Sequence, residues 1–317
     1  MSQSFLKSTD FTRDEAAALF HLTAELKARR GKGHIEPLNG QTWAMLFHKS
    51  STRTRISFEV GVHELGGHPM ILDPNSLQLG RGESVEDTAR VMSRYLHGII
   101  IRTYEQALLD QFDHAGSIPV VNALTNELHP CQIYTDAFSL IERWSEPGKA
   151  DLASLAGRQI CFVGDCASNM AHSWILASAL FGIQLHLTGP KAYQPLPFVA
   201  DLLKDAGLEP TWSFSDDAKA AVEGSDMVYT DVWVSMGDED EKEQRLRDFM
   251  PYQVNKALMS VAKPDAYFMH CLPAHEGEEV TAEVLKDPRS IIFDQAENRL
   301  HTQKAILAGL ADPSLLR

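Results

Sequence analysis

Hydrophobic and polar residues alternate along this chain in two recurring patterns. Short continuous apolar runs, such as Trp43–Phe47 and Gly98–Ile101, are typical of strands buried in a parallel sheet. Segments with apolar residues at helical spacing lie between such runs, the first over Ala16–Ala28 after a capping box formed by Thr12 and Glu15. Strand and helix therefore alternate along most of the chain, which favours an α/β fold.

The predicted strands form two groups, separated by a Pro, Gly and charge cluster at Ser145–Lys149 that predicts a linker. The strands are predicted at Trp43–Phe47, Pro69–Leu72, Gly98–Arg102, Ile118–Val121, Gln159–Val163, Ile183–Leu187, Glu209–Phe214, Asp226–Tyr229, Ala266–Met269 and Ser290–Phe293. We expect two Rossmann-like α/β/α domains with parallel sheets, over residues 1–145 and 150–295. A closing helix within 296–317 is expected to pack near or across the domain junction, and the charge-dense stretch Asp238–Arg247 to be a solvated loop or helix face.

Length and composition support two ordinary globular domains. The chain has 317 residues, of which 44% are hydrophobic and 23% charged, and its net charge of −14 disfavours nucleic acid or an anionic membrane as partner. The four cysteines form no C-x-x-C pair, and no zinc-finger spacing occurs, so no metal site is expected. No secretory leader or long apolar segment is found, which indicates a cytoplasmic protein.

The segment Ser51-Thr52-Arg53-Thr54-Arg55 stands between a predicted strand and a predicted helix. A helix N-terminus offers unpaired N–H groups and a partial positive charge, and hydroxyls with guanidinium groups complete a site for a dianion such as phosphate. The alternative is an ordinary Ser/Thr cap with solvated arginines. In an acidic chain, such a site must be a local basic pocket.

Other polar residues stand at predicted strand ends or helix starts. Arg102 ends an apolar strand, where open α/β sheets bind ligands, although it could equally be leaving the core. His129 starts a helix and could instead bond to backbone, whereas Cys271 alone fits a small buried hydrophobe. Gly164 follows a strand in the second half without a complete G-x-G-x-x-G fingerprint, so a nicotinamide enzyme is disfavoured.

Four motifs, in order and spacing, resemble the ornithine carbamoyltransferases of the aspartate/ornithine carbamoyltransferase superfamily. They are Ser51-Thr52-Arg53-Thr54-Arg55, His129-Pro130-Cys131-Gln132, Asp231-x-Trp233-x-Ser235-Met236-Gly237 and His270-Cys271-Leu272-Pro273. The first two are shared with aspartate carbamoyltransferases and point to carbamoyl phosphate. The last two point to ornithine, and the resemblance covers nearly the whole chain.

The resemblance implies a role for each matching residue. Domain 1–145 would bind carbamoyl phosphate and domain 150–295 ornithine, with the active site in the cleft between them. The implied catalytic residues are Arg102, His129, Asp231 and Cys271. The implied carbamoyl-phosphate-binding residues are Ser51, Thr52, Arg53, Thr54, Gln78, Arg102, His129, Pro130, Cys131, Gln132, Cys271, Leu272 and Arg299. The implied ornithine-binding residues are Asn169, Asp231, Ser235 and Met236.

The implied activity is carbamoyl transfer to the side-chain amine of ornithine, in arginine biosynthesis, without metal or cofactor. A homotrimer is implied, in which the loop bearing Gln78 reaches a neighbouring subunit's site. Two positions depart from the family pattern, because Arg81 lies one residue before a common lysine and Ser168 replaces a common asparagine. Open alternatives are another amine acceptor (putrescine, an acylated ornithine or aspartate) and a non-catalytic binding protein on the same scaffold.

Overall fold

Two parallel sheets, one of four and one of five strands, organise the chain. The computed structural model describes residues 4–33, 35–75, 82–234 and 239–317. The chain divides into two units, the first comprising Met1–Ser154 with Glu297–Arg317 and the second Leu155–Ala296. Within the described ranges, no helix is both long and apolar enough to cross a membrane.

The first unit carries the four-stranded sheet, whose strand order is β2-β1-β3-β4. Its elements are α1 (Arg13–Arg29), β1 (Thr42–Phe47), α2 (Thr52–Glu64), β2 (His68–Leu72), α3 (Val85–Met92), β3 (Gly98–Arg102), α4 (Gln106–Ala115), β4 (Val120–Leu124) and α5 (Pro130–Trp144). The sequence order reverses between β1 and β3, which pair in parallel with Phe47 opposite Arg102. Ligands of open α/β sheets bind at such a reversal, beyond the carboxyl ends of the strands.

The second unit carries the five-stranded sheet, whose order is β7-β6-β5-β8-β9. Its elements are β5 (Gln159–Val163), α6 (Asn169–Phe181), β6 (Gln184–Thr188), α7 (Phe198–Asp205), β7 (Trp212–Ser215), α8 (Ala218–Val222), β8 (Met227–Thr230), α9 (Lys242–Phe249), α10 (Lys256–Met259), β9 (Tyr267–His270) and α11 (Ala282–Leu285). The order reverses between β5 and β8, which pair with Val163 opposite Thr230. This unit therefore has a switch point of the same kind.

A last helix, α12 (Ile292–Ala311), starts in the second unit and belongs to the first from Glu297 onward. Short 3-10 helices complete the described chain at Leu152–Leu155, Lys191–Tyr193, Glu239–Glu241, Met250–Tyr252 and Pro313–Leu316.

Apolar side chains explain why the strands form where they do. All five residues of β3 are buried, as are the four central residues of β1, because helices cover both faces of a parallel sheet. In the second unit, α6 is buried along nearly its whole length and ends at Gly182, which adopts φ 77°. Glycine takes this left-handed conformation without steric cost, so the helix stops there.

The prediction of two parallel-sheet α/β domains is confirmed. The predicted strand at Ser290–Phe293 is wrong, because Ser290 forms one isolated bridge to Phe268 and α12 begins at Ile292. A four-residue apolar run fits a strand and a buried helix end equally well. The helix α4 was not predicted, and β4 lies two or three residues beyond the predicted bounds.

Candidate active site

The N-terminus of α2 gathers the predicted phosphate ligands of the first unit. Ser51 is the N-cap of α2, and its Oγ accepts a hydrogen bond from the Thr54 N–H at 3.2 Å. The buried Arg299, on α12, donates from Nη2 to Thr54 Oγ1 at 2.8 Å. Since a guanidinium can only donate, the hydroxyl of Thr54 keeps its own proton for another acceptor. The geometry thus leaves hydroxyl donors at a helix N-terminus beside a buried cation, which suits an anion.

His129 and Arg102 add a second feature to the first unit. Arg102, at the end of β3, is 7% exposed, and His129, the N-cap of α5, is 4% exposed. Burial lowers the pKa of His129 well below its usual value, and the charges of Arg299 and Arg102 lower it further. The imidazole is therefore neutral at physiological pH and able to donate one N–H without carrying charge. Fixed arginine charges and a neutral donor suit an oxygen atom that gains negative charge.

Gln132 is a fully buried amide in the first turn of α5. Its Nε2 donates to Asp136 Oδ1 at 2.8 Å, which fixes the orientation of the amide because a carboxylate only accepts. Among the described residues, Gln132 Oε1 has no hydrogen-bond partner. A buried acceptor without a partner is costly, so this oxygen is ready to accept from an N–H of a bound group.

The remaining residues of the Ser51–Arg55 and His129–Gln132 motifs differ in their exposure. Thr52 is exposed and Arg53 partly exposed on α2, while Arg55 is exposed. Pro130 occupies the first turn of α5. Cys131 is buried, its thiol contacts Asn122 O at 3.3 Å, and burial raises its pKa to about 12. This thiol is therefore a structural donor inside the first unit.

Asp231 and Cys271 form the corresponding pair in the second unit. Asp231 follows β8, Cys271 follows β9, and the Cys271 thiol donates to Asp231 Oδ1 at 3.0 Å. The same carboxylate oxygen accepts the Val232 N–H at 2.8 Å. Burial raises the pKa of Asp231, against the lowering effects of His270 and the Cys271 hydrogen bond. A desolvated carboxylate of this kind can pair with an amine or accept a proton from it.

A buried His–Glu pair holds the segment after β9. His270 and Glu279 are fully buried, with His270 Nε2 3.0 Å from Glu279 Oε1. His270 Nδ1 accepts the Leu272 N–H at 2.9 Å, so the proton of the ring lies on Nε2 and points at Glu279. Leu272 has φ 62° and precedes a cis peptide bond to Pro273. These contacts fix the backbone that carries both Cys271 and the Leu272 carbonyl.

Among the described residues, two groups of side chains have metal-ligand atoms close together. Ligand atoms of Asp231, His270 and Cys271 lie within 4.8 Å of one another, as do those of His275, Glu278 and Glu279. In the first group, however, both ring nitrogens of His270 already serve Leu272 and Glu279. A metal ion there would gain an imidazole ligand only by breaking one of these contacts.

Asn169 is the first residue of α6, directly after the N-cap Ser168, and it is partly exposed at the end of the turn that follows β5. The switch point between β5 and β8 therefore places Asn169 and Asp231 after neighbouring parallel strands. Three predicted ligands, Gln78, Ser235 and Met236, lie outside the described residues.

Two polar contacts near these residues were not predicted. Lys49 is 5% exposed, its Nζ hydrogen-bonds Asn126 Oδ1, and it lies 4.6 Å from the centre of the Tyr104 ring. The position of this lysine, between a predicted buried strand and Ser51, was the sequence signal that could have indicated its contact near the site. In the second unit, Arg245 belongs to the charge-dense stretch expected to be solvated, yet its Nη1 lies 2.8 Å from Asp165 Oδ2. No local pattern separates it from its exposed neighbours.

Comparison with known proteins identifies the class that this fold and these residues define. The family model described as "Aspartate/ornithine carbamoyltransferase, carbamoyl-P binding domain" matches residues 3–142. The model described as "Aspartate/ornithine carbamoyltransferase, Asp/Orn binding domain" matches residues 156–310. The chain belongs to the aspartate/ornithine carbamoyltransferase family.

Within this family, the chain is similar to proteins named ornithine carbamoyltransferase. It is 48% identical to that of Syntrophus aciditrophicus over 309 residues, covering 97% of this chain and 99% of the relative. It is 47% identical to that of Geobacter metallireducens over 311 residues, covering 98% and 99%. The solved ornithine carbamoyltransferase of Pyrococcus furiosus matches with a TM-score of 0.87 and 41% identity, covering 96% of both chains. That of Thermus thermophilus matches at 0.85 and 37%, covering 98% of this chain and all of the other.

Proposed function

We propose that this protein transfers the carbamoyl group of carbamoyl phosphate to the side-chain amine of L-ornithine, giving L-citrulline and phosphate. The observation that carries the reaction type is the neutral His129 beside Arg102 and Arg299, next to hydroxyl donors at the start of α2. The names of the full-length relatives support ornithine as the acceptor.

The phosphate group is bound at the start of α2 in this proposal. Ser51, Thr52, Arg53 and Thr54 offer hydroxyl, guanidinium and backbone donors to a dianion, and their charges do not change near neutral pH. Phosphate leaves when the bond between the carbonyl carbon and the bridging oxygen breaks, so these donors also stabilise the departing anion. Gln78 would complete this site from a neighbouring subunit.

The carbonyl oxygen gains negative charge as the amine attacks the carbonyl carbon. Arg102 and His129 stabilise that charge together, and stabilisation of this kind is usually the largest single contribution to catalysis. Gln132 Oε1 accepts one N–H of the carbamoyl amide, and the Leu272 carbonyl accepts the other. Arg299 also contacts the carbamoyl group, and Pro130, Cys131 and Cys271 line the site around it.

The amine must lose its proton before or during bond formation. Ornithine's side-chain amine resembles that of lysine, with a pKa of about 10.4, so reaching its neutral form at pH 7 costs about 4 to 5 kcal/mol. Asp231 pairs with the protonated amine on entry and takes up its proton as the new C–N bond forms, while the Cys271 thiol contacts the amine. Asn169, Ser235 and Met236 bind the amino-acid end. Orientation of the two substrates supplies much of the remaining rate.

Assembly and location complete the proposal. The proposal includes a homotrimer, for which apolar side chains exposed on the first unit, such as Ile56 at 55%, Ile71 at 40% and Tyr95 at 75%, offer contact surface. The proposal includes a cytoplasmic role in arginine biosynthesis, and the four free cysteine thiols support a reducing compartment. Light scattering should give three times the chain mass of 35.2 kDa.

An amine panel tests the activity directly. The purified protein is incubated with carbamoyl phosphate and, separately, ornithine, putrescine, acetylornithine and aspartate, and the carbamoylated products are quantified. We expect citrulline to form at least tenfold faster than any other product. Faster turnover of another amine would replace the acceptor, and no turnover with any of them would favour a binding protein on this scaffold.

A further inference from the structure

Asn298 is a fully buried amide next to Arg299 on α12. Its Nδ2 donates to Ser139 Oγ at 3.0 Å and to Glu142 Oε2 at 2.6 Å, while its Oδ1 accepts from Lys27 Nζ at 2.7 Å. Both kinds of amide atom are thus used, and the cation on one side with the carboxylate on the other fixes the orientation of the group. Charge-assisted hydrogen bonds of this kind are the strong ones.

The partners of Asn298 belong to two other helices of the first unit. Lys27 lies on α1, and Ser139 and Glu142 lie on α5, the helix that carries Gln132 and starts after His129. Lys27 also contacts Glu142 directly, at 2.8 Å and 3.0 Å from its two carboxylate oxygens. The Lys27–Asn298–Glu142 cluster therefore fixes α12 against the helix that presents two proposed substrate ligands.

Adjacent residues of an α-helix point about 100° apart, so fixing one side chain limits where its neighbour can point. Asn298 is held against α5, and Arg299 then points to α2, where it contacts Thr54 Oγ1 at 2.8 Å. A rotation or slide of α12 would move the guanidinium away from the start of α2 and from His129 together. Misplacement of a substrate-contacting group by about 1 Å is enough to lower a rate markedly.

We propose that Asn298, held by Lys27 and Glu142, is a positioning residue that sets Arg299 in the phosphate and carbamoyl site. This deepens the proposed function and rests on it for the identity of the bound group. It assigns a role to residues outside the four sequence motifs, and it makes the first turns of α12 an active part of the anion site.

The decisive variant is Asn298→Asp, which keeps the shape of the side chain but replaces the N–H donor with an acceptor facing Glu142. We expect a rise of about tenfold in the Kd of inorganic phosphate, measured by titration calorimetry, and a similar rise in the KM of carbamoyl phosphate. The KM of ornithine should stay within twofold. The double variant Asn298→Asp/Glu142→Gln restores a donor opposite an acceptor and should return both constants to within about threefold of the wild type.

Glu64→Gln is the matched control. Lys304, also on α12, is 3% exposed and donates to Glu64 Oε2 on α2 at 2.7 Å. This pair therefore joins α12 to the first unit through side chains other than Lys27, Ser139 and Glu142. The control should lower Tm while leaving phosphate affinity within twofold. If Asn298→Asp fails to fold, Lys27→Met replaces it, because this side chain is 26% exposed, and a rise of about threefold in phosphate Kd is expected.

The outcomes separate the two proposals. Unchanged phosphate affinity in folded Asn298→Asp or Lys27→Met, an equal loss in Glu64→Gln, or no recovery in the double variant would overturn the positioning role. A different outcome is that Asn298→Asp loses phosphate affinity and the double variant regains it, while the wild-type protein carbamoylates no amine. That outcome would support the positioning role and overturn the proposed function.

Discussion

The two units carry polar clusters of opposite chemical character at equivalent places in their sheets. Each cluster follows a strand pair where the strand order reverses, β1 with β3 in one unit and β5 with β8 in the other. The first relies on arginines, whose charge is permanent, and on a histidine kept neutral. The second relies on a carboxylate and a thiol, both of which can exchange protons. One sheet architecture thus supplies fixed charge in one unit and titratable groups in the other.

The contrast extends to the linkage between protonation and stability. The folded first unit disfavours protonation of His129, so acid weakens it. The folded second unit disfavours ionisation of Asp231, whose raised pKa means that its contribution to stability is present at low pH and lost as pH rises. Proton-handling groups that cost stability at working pH are a common feature of functional sites.

Replacing Arg102 should produce the largest effect. Arg102→Met keeps length and apolar contacts but removes the permanent charge beside His129, so we expect kcat to fall about 100- to 1000-fold. The control is Arg90→Met, which replaces an exposed arginine of α3 that pairs with Asp87 at 3.2 Å. Its kcat should stay within twofold of the wild-type value. Steady-state kinetics measure both. A rise in the KM of carbamoyl phosphate with unchanged kcat would mean that Arg102 binds the substrate without stabilising the oxyanion.

The sheets, and the residues at their edges, could be predicted because each depends on local sequence. Trp43–Phe47 and Gly98–Arg102 are apolar enough to be buried on both faces, and β1 and β3 lie there. Ser51 and His129 precede helices and have the residue types of helix starts, so both were assigned to N-termini correctly. Capping and burial act over a few residues, and this is the range over which a single sequence is informative.

Contacts between distant residues could not be predicted in the same way. Asn298 contacts Lys27 across 271 positions, and His270 bonds with a Glu279 that looks like one of several acidic residues in its segment. Only packing of the helices decides which of many polar side chains is buried and paired. The strand predicted at Ser290–Phe293 failed for a related reason, since its apolar side chains are equally compatible with the start of α12.

Replacing Asp231 tests the proton-handling half of the comparison. Asp231→Asn keeps the acceptor for the Cys271 thiol but cannot ionise, so kcat with ornithine should fall about 100-fold. Because the folded protein disfavours the charged form, the same variant should have a higher Tm at pH 7. The difference should shrink as pH falls towards the acidic range, where the wild-type carboxyl becomes neutral.

The matched control lies at the opposite end of β8. Asp226 is also buried, and burial acts to raise its pKa, but hydrogen bonds from Lys263, the Gln159 N–H and Arg158 lower it overall. Its ionised form therefore stabilises the fold above the acidic range. Asp226→Asn should lower Tm and leave kcat within about threefold. A lower Tm in both variants would contradict the opposite roles assigned to these two carboxylates.

The smallest expected effect concerns acid and the first unit. Burial lowers the pKa of His301 to about 3, and the charges of Lys304, Lys27 and Arg30 act in the same direction. In the unfolded chain this histidine takes up a proton near pH 6.5, whereas in the folded protein it stays neutral until near pH 3. Stability from this group is thus complete above pH 6.5 and is lost as pH falls between these values, by up to about 1.4 kcal/mol per pH unit.

His301→Gln removes the titrating group and should flatten this dependence. The free energy of unfolding is measured with urea at pH 7.5 and pH 5.0. Between these values the wild type should lose about 1 to 2 kcal/mol more than the variant. His114→Gln, at an exposed position of α4, should keep the wild-type dependence. If the free energy of unfolding fell equally with pH in the wild type and in His301→Gln, this histidine would take up its proton in the folded protein. The acid sensitivity of the first unit would then have to come from other groups, such as His129.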